Sequence, residues 1–286
     1  MRGMAGHALR IVLVVVLGGF AGAALARYAP GWGVDDEDLN SSLSAASHAA
    51  LHASDANGSN PAAFYVDYWG RLLRGDLGTS VALHEPVSQL LKERVPETCK
   101  SVGAGLALAW TMGLGLALLS LLPVARFAAW GAWLLASLVL CLPAAVLALL
   151  CVYAHASGRL AIGLIVFPRV YQFTRNLLAR SAALPHVLTA RAKGAGECRI
   201  LLRHVLPVAA PQILALGGVS VCMALAACVP VEALCDLPGI GQLAWRAALS
   251  RDLTLLVNLT MIMTVVTLAA NSGMDLLGGL IGEGRG

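Results

Sequence analysis

An all-α polytopic membrane protein is the fold class this sequence predicts, and three observations predict it. Of 286 residues, 58% are hydrophobic and only 13% charged, against about 25% charged in an ordinary soluble domain. Mean hydropathy is +0.75. The apolar residues fall in six blocks, each long enough to approach the roughly 20 residues a membrane helix needs. These features exclude a soluble globular enzyme and a disordered chain. A net charge of only +4, with no basic helix free of apolar interruption, excludes a nucleic-acid binder.

The six blocks run about Leu9–Ala26, Ser101–Leu122, Ala128–Ala154, Leu160–Leu178, Val208–Val231 and Leu253–Leu277. The first has a basic start, an apolar core and Ala24-Leu25-Ala26, so composition reads it equally as a retained helix or a cleavable signal peptide. An outer loop of about 70 residues follows it. Its residues 34–62 are rich in Ser, Ala, Asn, His and Asp and read as flexible, whereas 63–98 carry regular apolar positions and read as short amphipathic helices on the membrane surface. Pro143 in the third block, and Pro211 and Pro230 at the ends of the fifth, predict kinks or helix ends. The fourth block is the least apolar, since it contains Arg169 and Arg175.

Charge orients these blocks. Arg27 to Lys100 holds six basic and ten acidic residues, while Arg175 to Arg203 holds six basic residues against the single acid Glu197. Positive loops stay inside. The basic segment is therefore expected in the cytoplasm, the acidic loop outside, and both termini inside. The expected domains are 1–26, an N-terminal transmembrane helix; 27–100, the outer loop region; and 101–286, a core of five helices with a cytoplasmic loop at 181–211.

Searches for catalytic chemistry find none. Lys100-Ser101 follows Cys99 rather than the glycine of a phosphate-cradling GxxxxGK[ST] loop, and neither HExxH nor GxSxG occurs. Seven scattered cysteines and seven histidines show no zinc spacing. No catalytic or metal-binding residue is predicted, and no cofactor bound by this chain.

The basic segment Ser181–Pro211 is the informative one. It reads as two short helices, Leu184 to Lys193 and Glu197 to Val205, around the turn Gly194-Ala195-Gly196, the second ended by Pro207. Ala190 and Ala192 keep one face thin, and Arg191, Lys193, Arg199 and Arg203 surround it with charge. Composition alone leaves two readings open: a hairpin that docks on a protein, or a basic loop held on anionic headgroups.

The spacing of Ala190, Gly194 and Leu206-Pro207 resembles the EAA loop, EAA-x3-G-x9-I-x-LP, of ATP-binding-cassette importer permeases. Thr189-Ala190-Arg191-Ala192-Lys193-Gly194, with Arg203-His204 before Leu206-Pro207, is similar to the oligopeptide/dipeptide/nickel branch of that superfamily. So are Leu73-Arg74-Gly75-Asp76-Leu77-Gly78-Thr79-Ser80, Glu93-Arg94-Val95-Pro96-Glu97-Thr98, and the stretch from Glu232 through Pro238-Gly239 to Gly241. Asn271 and Asp275 fall where that branch carries an Asn and an Asp in its last helix. Leu188, Thr189 and His204 depart from the general motif, and the Asp-Pro-Arg tail is missing.

The resemblance implies an importer-permease fold of six helices with the first one retained. It implies half of a translocation pathway for peptides or a similar small solute, in a bacterial inner membrane. Thr189, Ala190, Arg191, Ala192, Lys193, Gly194, His204, Leu206 and Pro207 would form the ATPase-coupling loop. Glu232, Pro238, Gly239 and Asp275 are candidates for the outer face or the pathway. The implied partners are a second homologous permease subunit, cytoplasmic ATP-binding subunits that use the ATP and Mg, an extracytoplasmic solute-binding protein and the lipid bilayer. A stand-alone secondary transporter or channel and a non-transporting assembly subunit are the rival classes.

Overall fold

A computed structural model describes residues 70–72, 74–122 and 126–283. The expected first helix and the expected flexible stretch lie outside the described residues. Those described are almost entirely helical, with no strand beyond an isolated bridge between Thr79 and Pro86. We number the helices α1 (Val87–Leu119), α2 (Arg126–Cys141), α3 (Ala144–Tyr153), α4 (Gly158–Ala182), α5 (Pro185–Ala192), α6 (Glu197–Ile200), α7 (Leu206–Leu234), α8 (Ile240–Leu249) and α9 (Leu253–Glu283), with a π-helical turn at Leu201–Val205. Two compact units divide them: the described residues up to Glu93 with Ala244–Val265, and Arg94–Leu243 with Val266 onward.

In the first unit the Gly75–Ser80 segment is pinned to the start of α9. Buried Asp252 accepts hydrogen bonds from Ser80 Oγ at 2.5 Å, from the Ala82 amide at 3.2 Å and from the Leu255 amide at 3.0 Å, so it also caps α9. Asn258 Nδ2 donates to the Leu77 carbonyl at 2.9 Å. The expected surface helices of 63–98 are corrected here: from Val87 onward the chain already belongs to α1, which continues through Pro96 for 33 residues.

The second unit is built around α4, which packs most extensively on α7 and also on α2 and α3. Ile162, Val166, Phe167, Val170, Tyr171 and Leu178 of α4 are all fully buried. Glycines bring α1 against it, since a Cβ on Gly105 would lie 2.6 Å from Ile162 Cγ2 and one on Gly113 2.8 Å from Val170 Cγ1. Gly217 and Gly218 do the same for α7 against Met274 and Asn271 of α9.

Length and hydropathy single out three described segments able to cross a membrane: Val87–Leu119, Glu197–Leu234 and Thr254–Gly278. The third apolar block is not one straight span. It breaks into α2 and α3, bent by 106°, because Pro143 is extended (φ −60°, ψ 146°) and supplies no amide to continue α2. Helix α4 is too polar to qualify by composition, yet it is the most enclosed helix of its unit; neighbours shield it on several sides, so it does not need an apolar surface all round.

Candidate functional site

The basic hairpin is built from two short arms and a left-handed turn. Pro185 starts α5 at a position where its missing amide costs nothing. Lys193 ends the helix, and Gly194 turns the chain with φ +78°, a conformation that β-carbon-bearing residues enter only at a cost. The Ala195 amide donates back to the Ala190 carbonyl at 3.2 Å, closing the turn. Val187, Ala190, Ile200, Leu201 and Val205 are all buried, on arms that pack against each other where α5 meets α6 and the π-helical turn.

Arg191 and Glu197 clasp the turn from opposite sides. Arg191 Nε donates to Glu197 Oε1 at 3.0 Å and Nη2 to Oε2 at 2.8 Å, a bidentate pair. These hydrogen bonds hold the Arg191 guanidinium above its ordinary pKa, so it stays charged at any workable pH. Half of each side chain remains exposed. His186 Nε2 lies 3.4 Å from the His204 carbonyl, a further link between the arms.

The structure places the expected loop residues in two sets. Thr189, Arg191, Ala192, Lys193 and Gly194 are exposed around the turn, with Leu188 and Leu202 also outward; Ala190 is buried. The expected thin face of Ala190 and Ala192 is therefore split, because residues two apart on a helix point about 200° apart. His204, Leu206 and Pro207 are half-buried at the base.

Pro207 does not end the second arm. The π-helical turn Leu201–Val205 widens the helix just before it, and Pro207 sits in the first turn of α7. Glu197 to Leu234 is consequently one stretch of 38 residues, about 57 Å at 1.5 Å per residue. That is nearly twice the roughly 30 Å of a hydrocarbon core. A bilayer around Val208–Val231 leaves the hairpin standing in water.

The second candidate group is arranged differently. Glu232 is completely buried near the end of α7. Its carboxylate accepts hydrogen bonds from Ser101 Oγ at 2.8 Å, Thr98 Oγ1 at 3.1 Å and the Gly241 amide at 2.8 Å. Thr98 Oγ1 in turn accepts from the Ile240 amide at 2.7 Å. Gly239 is pressed so close to Glu232 that a Cβ there would collide with the carboxylate. Pro238 and Asp275 are exposed, Asp275 far along α9 and outside this cluster. Thr98 and Ser101 are the partners that sequence reasoning did not assign, lying more than 130 residues from Glu232. No group of three or more His, Cys, Asp or Glu side chains able to hold a metal occurs among the described residues.

Residues 111–284, which include the hairpin and α7, match the family described as the binding-protein-dependent transport system inner membrane component. The chain belongs to that family. It is a permease component of an ATP-binding-cassette importer, an inner-membrane protein that works with a separate ATPase. The oligopeptide transport system permease protein OppB of Salmonella typhimurium is 26% identical to it over 234 residues, 74% of this chain and 76% of that one. The Escherichia coli K12 protein of the same name is 31% identical over 117 residues, 41% of this chain and 38% of that one. In fold the permease is similar to a chain from an inward-facing crystal form of the MetNI methionine transporter, with TM-score 0.60, 15% identity, and coverage of 68% and 97% of the two chains.

Proposed function

We propose that this permease forms half of a translocation pathway for peptides or a similar small solute, and that the hairpin at 181–211 couples it to the ATPase. The carrying observation is the hairpin itself: packed arms and a bidentate clasp hold it firm, while its tip presents Leu188, Lys193 and Gly194 to solvent. A stiff element continuous with α7 transmits a push from a closing ATPase pair into the membrane helices, rocking them between inward-open and outward-open states. The similarity to OppB proteins supports a peptide-like solute.

The rest of the reading follows from charge and family. Both termini lie in the cytoplasm, and residues 1–26, 27–100 and 101–286 form the first helix, the outer region and the permease core. A second homologous permease completes the pathway, and a solute-binding protein docks on the outer face. ATP and Mg are used by the partner, since this sequence offers no phosphate-cradling loop. The isolated chain is expected to show no nucleotide turnover.

Gly194→Asp tests the coupling role. A Cβ at Gly194 meets nothing within 4 Å, and Asp tolerates a left-handed backbone better than most residues, so the hairpin itself should survive. The new carboxylate would be desolvated in the docked state, and ATPase pull-down should fall at least tenfold while expression holds. Gly194→Asn, equal in shape but uncharged, should fall less. Wild-type ATPase binding by Gly194→Asp, with loss instead in a Lys193→Glu variant that also detaches from anionic vesicles, would assign the loop to the lipid surface. Orientation has its own check: a cysteine at Ala195, in a background without the exposed native cysteines, should label only from the cytoplasmic side.

A further inference from the structure

The C-terminal end of α1, the start of α2 and the second half of α4 enclose a cleft of about 700 Å3 whose lining includes Ser120, Ala129, Trp130, Trp133 and Arg175. An adjoining cavity of about 260 Å3 shares Trp133 and Arg175 and adds Ser137, Gln172 and Asn176. Arg175 is half-buried there and takes part in none of the ion pairs among the described residues. Trp130 and Trp133 stand at the rim with ring centroids 6.2 Å apart, 71% and 47% exposed. Above them on α2, Leu134 and Leu138 continue an exposed apolar stripe that starts at Phe127.

Depth and charge narrow what such a cleft takes. Arg175 lies 17 residues after Gly158, about 26 Å along α4. With Gly158 at one boundary of a hydrocarbon core roughly 30 Å thick, Arg175 comes close to the other. Tryptophans favour that level, where ring and headgroup meet. A cation at that depth without a counter-charge calls for an anion, and the stripe beside it suits an acyl chain. A zwitterionic lipid would bring its own ammonium and leave the guanidinium less well matched.

We propose that this cleft is a binding site for an anionic phospholipid, its phosphate paired with Arg175, its glycerol region between Trp130 and Trp133, and an acyl chain along Phe127, Leu134 and Leu138. The lipid is taken from the cytoplasmic leaflet, a detail that rests on the orientation proposed above. An occupied site ties α1, α2 and α4 together at the level from which the coupling hairpin emerges.

Photolabelling tests it. The full chain in nanodiscs of phosphatidylcholine receives a small fraction of photoactivatable phosphatidylglycerol or, separately, photoactivatable phosphatidylcholine, and labelled peptides are mapped by mass spectrometry. The glycerol lipid should label the Phe127–Leu138 region in preference to the choline lipid. Arg175→Gln should lower that labelling about fivefold, the factor corresponding to roughly 1 kcal/mol per basic residue near an anionic surface, and Arg175→Lys should restore most of it. Equal labelling by both lipids, no response to Arg175→Gln, or displacement of the label by a millimolar tripeptide would each overturn the proposal. Both leaflets of the disc are alike, so an inverted orientation leaves the labelling unchanged and is read instead from the accessibility of a cysteine at Ala195.

Discussion

The hairpin around Gly194 and the cluster around Glu232 both contain a carboxylate held by several hydrogen bonds, yet they face opposite ways. Glu197 is bound by one exposed arginine and is itself 42% exposed, whereas Glu232 is fully buried and bound by two hydroxyls and an amide. A buried polar group without partners costs about 1–3 kcal/mol, so the Glu232 cluster must be complete to exist at all. An exposed pair has water as an alternative partner and contributes little to stability. The difference separates a brace from a docking surface: one consumes its polar groups internally, and the other shapes a surface with them.

The largest effect expected from that contrast is at Glu232. Glu232→Ala strands the Gly241 amide, takes the acceptor from the Thr98 hydroxyl and opens a cavity, while Ser101 Oγ keeps the Thr98 carbonyl at 3.1 Å; the loss is about 3 kcal/mol. Thermal unfolding in detergent should show it as a clear drop in Tm, with Glu232→Gln intermediate. A Glu232→Ala protein of unchanged Tm that had lost only solute transport would move the residue from brace to pathway.

Gly239→Ala comes next. The added methyl has to displace the Glu232 carboxylate, and overpacking of this kind costs about 1–3 kcal/mol. Pairing it with Glu232→Ala removes the nearer of the two obstructing groups, the other being Thr98 Oγ1, and should cost less than the sum of the two single changes. Simple additivity would mean that the two side chains do not compete for the same space.

How much of this was legible in the sequence depends on range. Local features were readable: the turn at Gly194 from its glycines, the break at Pro143 from its proline, and the apolar spans from block length. Pairings across the chain were not, because nothing local marks Ser101 as the partner of Glu232 or Ser80 as the partner of Asp252. Hydropathy alone understates α4: it measures the surface offered to lipid, and this helix buries Ile162, Val166, Phe167, Val170 and Tyr171 among its neighbours. Pro207 misled for a related reason: a proline stops a regular α-helix, but a π-helical turn ahead of it changes the geometry its ring has to fit. For the candidate site, the hairpin was visible by its turn and charge, while the clasp was not. Arg191 and Glu197 are six residues apart, a separation that no single helix brings together.

The smallest effect expected is at that clasp, and it sharpens the comparison most. Arg191→Glu and Glu197→Arg should each leave Tm almost unchanged, since both side chains are solvated. Each places two like charges across the turn, so amide hydrogen exchange at 190–198 should quicken and ATPase pull-down should weaken a few-fold. The double swap restores an ion pair with its direction reversed. If the clasp acts by stiffening the hairpin, the double variant recovers both slow exchange and ATPase binding. If the Arg191 charge itself meets the partner, exchange recovers and binding does not, because the positive charge now sits on the other arm. High salt supplies an independent handle: at 1 M the Debye length is only about 3 Å, and the exposed clasp should loosen while the buried Glu232 cluster does not respond. A drop in Tm for either single swap as large as that for Glu232→Ala would erase the distinction, and would mean that the hairpin belongs to the structural core and not to its docking surface.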